Sequence, residues 1–515
     1  MGFYSLQIAR TGLVASQKAL DITSHNIANA NTEGYTRQRL DLSSRQGVTS
    51  NKITIGSGVD IDKLTQIRDE YLDYQFRGEN SVKNELETKS ETTTYIENIF
   101  GEPSDHGINQ SLSDFFVSME ELTNNAQESS YRETVVQNAV KLTDSIRTVA
   151  TELTEYQKEI NGVIDMSVDQ VNSILERVHD LNKTIYNYEL KGTQANDLRD
   201  ERNLLIDELS EYVNIESFED STGKLVVNAA GTSVVNGTHV KYMEVKSDTE
   251  LNPYTEEHDN VVYWEGTTSE VKPQSGKLKA LLDTRDGESQ ENQGIPYYLD
   301  QLNILAKGMI EKFNTINNDG HTIPYGGNDS LTDVDFFKDI FPELTDPTDT
   351  TQVENLIEVE KTAALNLRVS AKLLESGYNI ALSSQDLEDG NLNWGNSENG
   401  IRFLELRDKT DMNVKYGIDP DTGNYENNDK SVANLERFYQ KTISDMAINK
   451  NYFDSRMRSQ QELTNFIEGE KLAVSEVSID EEMINMVQYQ QSYNAAAKVI
   501  TVTDEMMDTL INMIR

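Results

Sequence analysis

Residues 24–38 read SHNIANANTEGYTRQ, and the reading of this stretch decides the fold. An apolar heptad, Leu6, Leu13, Leu20 and Ile27, runs up to it from the first residues. Three asparagines, Asn26, Asn29 and Asn31, then alternate with other residues, chiefly alanine, before Gly34 and Tyr35. Asparagine is a poor helix former because its amide competes for backbone hydrogen bonds. A helix predicted over 3–28 therefore ends here. A ligand site, a catalytic loop or an assembly joint would each suit such an ending.

The far end of the chain mirrors the near one. Ile479, Met486, Tyr493, Ile500, Met507 and Ile514 recur every seven residues, and Met483, Ala497 and Ile511 add the i+4 positions. Heptads sustained over this length predict a coiled coil. Each terminal helix also carries a second apolar row. It is Ile8, Gly12, Ala15, Ala19 and Ile22 in the first, and Ala495, Val499, Val502, Met506 and Met513 in the last. A single methionine or leucine stripe is usually ordinary core. Chain ends, however, are normally the least buried part of a protein, and a helix apolar on two faces must be buried on both. One face can pair with the other terminus; the second needs something outside this chain.

Proline marks what lies between. All eight prolines fall between Pro103 and Pro420, seven of them from Pro253 onward. Long proline-free periodic segments read as helix, and 131–211 predicts two long ones. From 212 to 274, β-branched residues alternate with the turn pairs Thr222-Gly223 and Asn236-Gly237, which is hairpin chemistry. Helical texture returns at 276–318. Residues 319–430 read as a second loop- and strand-rich region, with a turn in YGIDPDTGNYE, and the rest as helix. The expected fold is mainly α with an inserted β-rich region, α+β and multidomain, the two termini nested together.

Charge narrows the partners. Against 88 acidic residues stand 46 basic ones, a net charge of −42. Phosphate binding needs a basic footprint, so nucleic acid is excluded as a partner, and so is an anionic membrane surface. The bland reading of such acidity is a well-solvated exterior. The ends differ mildly in sign: residues 1–50 carry five basic and three acidic side chains, residues 471–515 three and seven. With no cysteine there are no disulfides or thiolate sites. No apolar run is long enough to span a membrane, and the N-terminus lacks a basic, apolar signal segment. It opens with Met-Gly, but Gln7 and Ser5 do not suit myristoylation. By these rules alone the chain reads as cytosolic.

No catalytic or cofactor motif emerges. Six histidines are scattered without a His-x-x-x-His pair, and GxSxG, GxxxxGK and GxGxxG patterns are missing. IGSGVD (55–60) reads as a turn between strands, DPDTGNYE (419–426) mismatches a calcium loop, and His25 reads as a helix-end side chain. No metal or cofactor is expected, although a carboxylate pair cannot be spotted from spacing alone.

The stretches ARTGLVASQKALDITSHNIANANTEGYTRQ (9–38) and VSIDEEMINMVQYQQSYNAAAKVITVTDEMMDTLINMI (477–514) closely resemble the paired terminal motifs of the bacterial flagellar rod, hook and hook-associated proteins. Glu33 departs from the proline that often precedes the Gly-Tyr pair in that family. GSGVDIDKLTQIRDEYLDYQFR (56–77), NDLRDERNLLIDELSEYVNI (196–215) and 275–314 narrow the resemblance to its hook–filament junction branch. The resemblance implies a structural adaptor without catalysis. It also implies a layered chain: a terminal coiled-coil assembly domain (1–55 with 470–515), a helical domain (56–211 with 275–318 and 431–469) and β-rich outer parts (212–274 and 319–430). Implied partners are copies of itself in a ring or helical layer, the hook protein, the next hook-associated protein toward the filament, the flagellar export apparatus and an export chaperone. The implied location is extracellular, reached through the type III channel without a cleaved signal. The two heptads, with Asn26, Asn29, Asn31, Gly34 and Tyr35, become the assembly interface. A hook or distal-rod protein, or a secreted enzyme carried on such termini, are the alternative readings.

Overall fold

The computed structural model describes residues 2–50, 53–105, 107–190, 192, 194–220, 224–237, 239–325, 330–345, 349–384, 395–408, 412–417, 425, 429–432 and 434–514. Helix α1 (Gly2–Ala28) runs into a turn over 29–36. Strand β1 (Gln38–Ser44) then pairs antiparallel with β4 (Val59–Gln66), and β2 (Val48–Ser50) with β3 (Ile53–Ile55) forms a short hairpin between them. IGSGVD joins β3 to β4, the turn between strands that the sequence suggests. The ribbon as a whole was not expected within 1–55. Its faces alternate too weakly to signal a strand: β1 is buried at Gln38 and mostly exposed beyond. It leans on α1, where Thr11 Oγ1 accepts from the Val59 amide at 3.2 Å.

Four helices follow. In α2 (Glu70–Phe100) Asp69 caps the start by accepting from the Tyr71 amide, and Gly101, at φ +58°, ends it in the left-handed region. Next come α3 (Ile108–Asn124), α4 (Ser129–Glu189) and α5 (Asn196–Tyr212). The two long helices predicted over 131–211 are thus one of 61 residues, about 92 Å at 1.5 Å per residue, and one of 17. A line of buried residues including Val135, Leu142, Ile146, Leu153, Ile164, Val171 and Val178 runs along α4 and makes it the spine of the core.

The β-rich stretch after 212 is a meander, β5 (Ile215–Glu219), β6 (Leu225–Ala229), β7 (Thr232–Asn236) and β8 (His239–Val240), followed by the hairpin β9 (Met243–Leu251) and β10 (His258–Trp264). Gly237, at φ +62°, turns β7 into β8 as the Asn-Gly pair requires; Thr222-Gly223 lies outside the described residues. Helices α6 (Lys277–Asp286) and α7 (Ile295–Asp319, with Pro296 in its first turn) return to the bundle.

Residues 319–430 differ from expectation. Their described part holds the short helices α8 (Thr350–Glu360), α9 (Ala363–Asn366), α10 (Ala371–Glu375) and α11 (Glu398–Asp408), and one two-stranded ribbon, β11 (Met412–Lys415) with β12 (Asp429–Val432). Helices this short gain their stability from docking rather than from their own periodicity, so turn-rich composition concealed them. Phe313 of α7 anchors α11 and the segment before α8: it packs on Phe115, Phe336, Phe337 and Phe403 with ring centres 5.5 Å apart. Val353 and Leu356 of α8 pack instead with Tyr425 in a separate small core. Apart from Tyr425, DPDTGNYE lies outside the described residues.

Helix α12 (Leu435–Ser475) then runs along α2, and α13 (Ile479–Ile514) runs along α1. Mainly helical, with several small antiparallel sheets inserted and the two ends packed together, the chain has the expected fold class. Among the described residues no helix is long and apolar enough to cross a membrane, and no cluster of three acidic or histidine side chains is placed to hold a metal.

Candidate functional site

The opening stretch closes on residues from three distant parts of the chain. Asn26, almost fully buried near the end of α1, uses its whole amide. Nδ2 donates to the Gln38 carbonyl at 2.9 Å and to Glu482 Oε2 at 3.1 Å. Oδ1 accepts from the Tyr35 hydroxyl at 2.8 Å and the Gln38 amide at 3.1 Å. A buried amide so satisfied fixes the exit of one helix, the start of the ribbon and the first turn of the last helix in one geometry. The Tyr35 hydroxyl is held well above its ordinary pKa, first by burial and then by Asp197, Asp200 and Glu482, so it stays a donor. Its oxygen also lies 3.0 Å from His25 Nδ1.

Charge reinforces this knot. Arg37 Nε lies 2.9 Å and Nη2 2.8 Å from Glu482 Oε1, and Nη1 lies 2.8 Å from Glu481. The Arg37 amide donates to the Ser475 carbonyl at the end of α12. Toward the bundle, the Thr36 amide and Gln66 Nε2 donate to Asp200 on α5, at 3.0 and 2.8 Å. Burial pushes the Asp200 carboxyl up to about 6, although hydrogen bonds from Thr36 and the charge of Arg68 oppose it. Lys471 of α12 reaches Asp207 of α5 at 2.5 Å and Asp73 of α2 at 3.5 Å. Burial works against ionisation of Asp207, yet Arg77 and Lys471 hold its carboxyl below the usual range.

The other expected residues are distributed as follows. Asn29 Nδ2 donates to the His25 carbonyl at 3.0 Å, closing the helix end. Asn31 is exposed and, with Gly34 and Tyr35, lines a cleft of about 870 Å³ between the turn and α2, α5 and α12. Gly34, at φ +75°, sits against Leu204, where a Cβ would lie 3.4 Å from the Leu204 Cβ. On α1 the buried positions are Ala9, Ala15, Ser16, Ala19, Thr23 and Asn26, a face of small residues. Leu13, Leu20 and Ile27 are half-buried and Leu6 is exposed. On α13, Met486, Tyr493, Ile500 and Met507 are half-buried, Ile479 is exposed, and the Ile514 side chain lies outside the described residues. The second rows divide: on α1 Ala15 and Ala19 are buried, Gly12 and Ile22 half-buried and Ile8 exposed. On α13 Ala495, Val499, Met506 and Met513 are exposed and Val502 is half-buried. Tyr4 and Val14 on α1, and Met483, Ile484, Val487 and Ile511 on α13, are exposed as well.

Arg37, Gln38, Glu482, Asp200 and Lys471 are residues that sequence reasoning missed. The opposite charge of the two ends was the one signal pointing to Arg37 and Glu482.

A nested chain whose ends pair as a coil, keep apolar faces uncovered and are knotted to a long helical body has the build of a structural protein. Comparison with known proteins gives the family. The model for the flagellar hook-associated protein FlgK helical domain matches residues 93–337. The flagella basal body rod protein model matches 6–36, and the flagellar basal body rod FlgEFG protein C-terminal model 469–513. Flagellar hook-associated protein 1 of Bacillus subtilis (strain 168) is 30% identical, over 99% of this chain and 98% of that one. The protein of the same name from Salmonella typhimurium is 26% identical, over 98% and 99%. A solved structure, the flagellar hook junction protein FlgK from Burkholderia pseudomallei, is 22% identical with a TM-score of 0.42, over 48% of this chain and 44% of that one. The chain belongs to the flagellar hook-associated protein 1 family and is a structural component of the bacterial flagellum.

Proposed function

We propose that this chain is the adaptor that joins the hook to the filament, with no catalytic step of its own. The observation that carries the reading is the terminal coil: α1 and α13 pair within the chain, yet each keeps an apolar row in water. At roughly 25 cal/mol per Å², such rows drive association with further copies. The heptad residues and the Asn26–Tyr35 turn are then the assembly interface. The layers are a terminal coil (1–55 with 470–515), a helical body (56–211 with 275–318 and 431–469) and outer parts (212–274 and 319–430). Neighbours are copies of the chain in a ring or helical layer, the hook protein below and the next hook-associated protein above. The chain leaves the cell through the flagellar export apparatus, with an export chaperone and without a cleaved signal.

Deletion of the gene tests this. Intact hooks that lack filaments, with flagellin shed into the medium, are the expected result. Loss of the hooks themselves would make the chain a hook or distal-rod protein instead. A cell-wall zymogram of the purified chain is expected to show no lysis; lysis abolished by single carboxylate substitutions would establish an enzyme.

A further inference from the structure

A second cleft, of about 440 Å³, opens where β4 and the start of α2 meet α5 and β5. In a chain of net charge −42 its wall carries Lys63, Arg68, Arg77, Arg199 and Arg202 against Glu70, Asp73 and Glu219. The deeper guanidiniums are braced by carboxylates, Arg77 on Asp207 at 2.6 Å, Arg199 on Glu189 at 2.8 Å and Arg202 on Glu219 at 2.7 Å. Bracing holds a guanidinium in place without using all five of its donors. Arg77 Nη2 and Arg202 Nε are buried and make no hydrogen bond among the described residues. Tyr74 and Phe218 line the same cleft yet are 55% and 54% exposed. Arginine with exposed aromatic surface is the composition enriched in protein–protein interfaces.

The converse surface lies further out on the same helix. Tyr95 is 21 residues beyond Tyr74, about 32 Å along α2. It is half exposed and packs on Tyr156 with ring centres 4.2 Å apart. Around this pair α4 presents Glu152, Glu155 and Glu159. Lys158, the cation among them, is already engaged by Glu155 at 3.5 Å and Glu257 at 3.0 Å. Glu152 and Glu159, like Lys63 in the cleft, are exposed and form no ion pair among the described residues.

Identical copies build a ring or a helical layer only through a heterologous contact, in which two different patches of one chain complement each other. The cleft's arginines are all balanced by carboxylates, which leaves Lys63 as its cation without an ion pair among the described residues. We propose that the cleft around Lys63 and the exposed Tyr74 in one copy receives the acidic, aromatic ridge of Glu152, Glu159 and Tyr95 from a second copy of this chain. The inference rests on the assembly reading above and adds the contact that orders the helical bodies. The match of the unpaired Lys63 to the unpaired Glu152 and Glu159 supplies its specificity. The cleft is also continuous with the terminal joint, because Gln66, Arg68 and Asn196 line it and bond within the knot that carries Asp200.

The test uses charge reversal at exposed positions in the full chain. In cells making only the variant, Lys63→Glu and Glu159→Lys are each expected to lower the number of filament-bearing hooks by about tenfold or more. Both reversals in one chain should restore it. Because the chain has no cysteine, a second measurement is direct. Lys63→Cys combined with Glu152→Cys should give disulfide-linked multimers in isolated flagella under mild oxidation, and neither single variant should. Wild-type filament numbers in both single reversals, no rescue by the double reversal, or no linked multimers from an incorporated double-cysteine chain would overturn the proposal. None of these outcomes touches the junction reading, which fails if the gene deletion leaves filaments in place.

Discussion

Arg37 and Glu482 stand 445 positions apart in the chain and form one ion pair, with Arg37 Nε 2.9 Å from Glu482 Oε1. Glu482 is nearly fully buried in the first turn of α13, where a carboxylate also suits the helix dipole. Its other oxygen accepts from Asn26. One side chain therefore holds the end of α1, the start of the ribbon and the start of α13.

Removing that carboxylate should loosen the coil and spare the bundle. Glu482→Ala leaves Arg37 with only the exposed Glu481 and takes from Asn26 one of its two acceptors, in a site that excludes most water, at a cost of about 2–4 kcal/mol. Glu482→Gln, which keeps acceptor and shape, should cost less. Hydrogen exchange of the monomer is expected to show lost protection in α1 and α13 with α4 unchanged. Equal protection in wild type and Glu482→Ala would show that the pair does not hold the helices.

Asn26→Ala should be nearly as damaging although it removes no charge. It strands the Gln38 amide and one oxygen of Glu482 and leaves the Tyr35 hydroxyl only His25, and each buried unsatisfied group costs about 1–3 kcal/mol. The expected readout is rapid protease cutting between residues 29 and 37. A cutting rate within twofold of wild type would remove Asn26 from the knot.

Asp200 gives a pH dependence of unusual sign. Its folded pKa is about 6, above the 3.8 of a free aspartate, so between these values the folded chain binds the proton more tightly than the unfolded one. Its stabilising contribution is thus full below about pH 4 and is lost as pH rises to 6, a swing of about 3 kcal/mol. Asp200→Asn, which keeps the acceptor, should flatten that part of the stability profile. Denaturant titrations at pH 4.5 and 7 of wild type and variant check this; equal pH slopes in both would refute it.

The two faces of α13 should fail differently. Tyr493→Asp and Ile500→Asp place a charge in half-buried positions, and each should prevent incorporation at the hook tip while secretion continues. Ile484→Asp and Met506→Asp alter exposed positions. Their monomers should keep wild-type helicity and melting, yet should also fail to incorporate. Normal filaments from the second pair would mean that the exposed row is not an interface.

The joint was legible only from one side. Asparagines ending an apolar heptad mark a helix terminus that needs hydrogen-bond partners, and Asn26, Asn29 and Gly34 all serve that ending. Their spacing cannot name the partners, because Asp200 and Glu482 lie 164 and 456 residues from the positions they bond. Short-range pattern also failed at β1 to β4, whose side chains bury too little to alternate, and at α8 to α11, short helices whose order comes from docking, α11 on Phe313 and α8 around Tyr425.

By itself the sequence determined the nested architecture, since heptads, proline positions and turn pairs act over a few residues and report local backbone preference directly. It also determined that both terminal helices are apolar on two faces. The tertiary structure alone decided which face is turned inward. On α1 the small row of Ala9, Ala15, Ala19 and Thr23 is buried and Leu6 is left in water, because small side chains let two helices approach closely. It alone decided the knot as well: a buried amide and a buried carboxylate are stable only where the folded chain brings donors and cations to meet them, and no local pattern encodes that meeting.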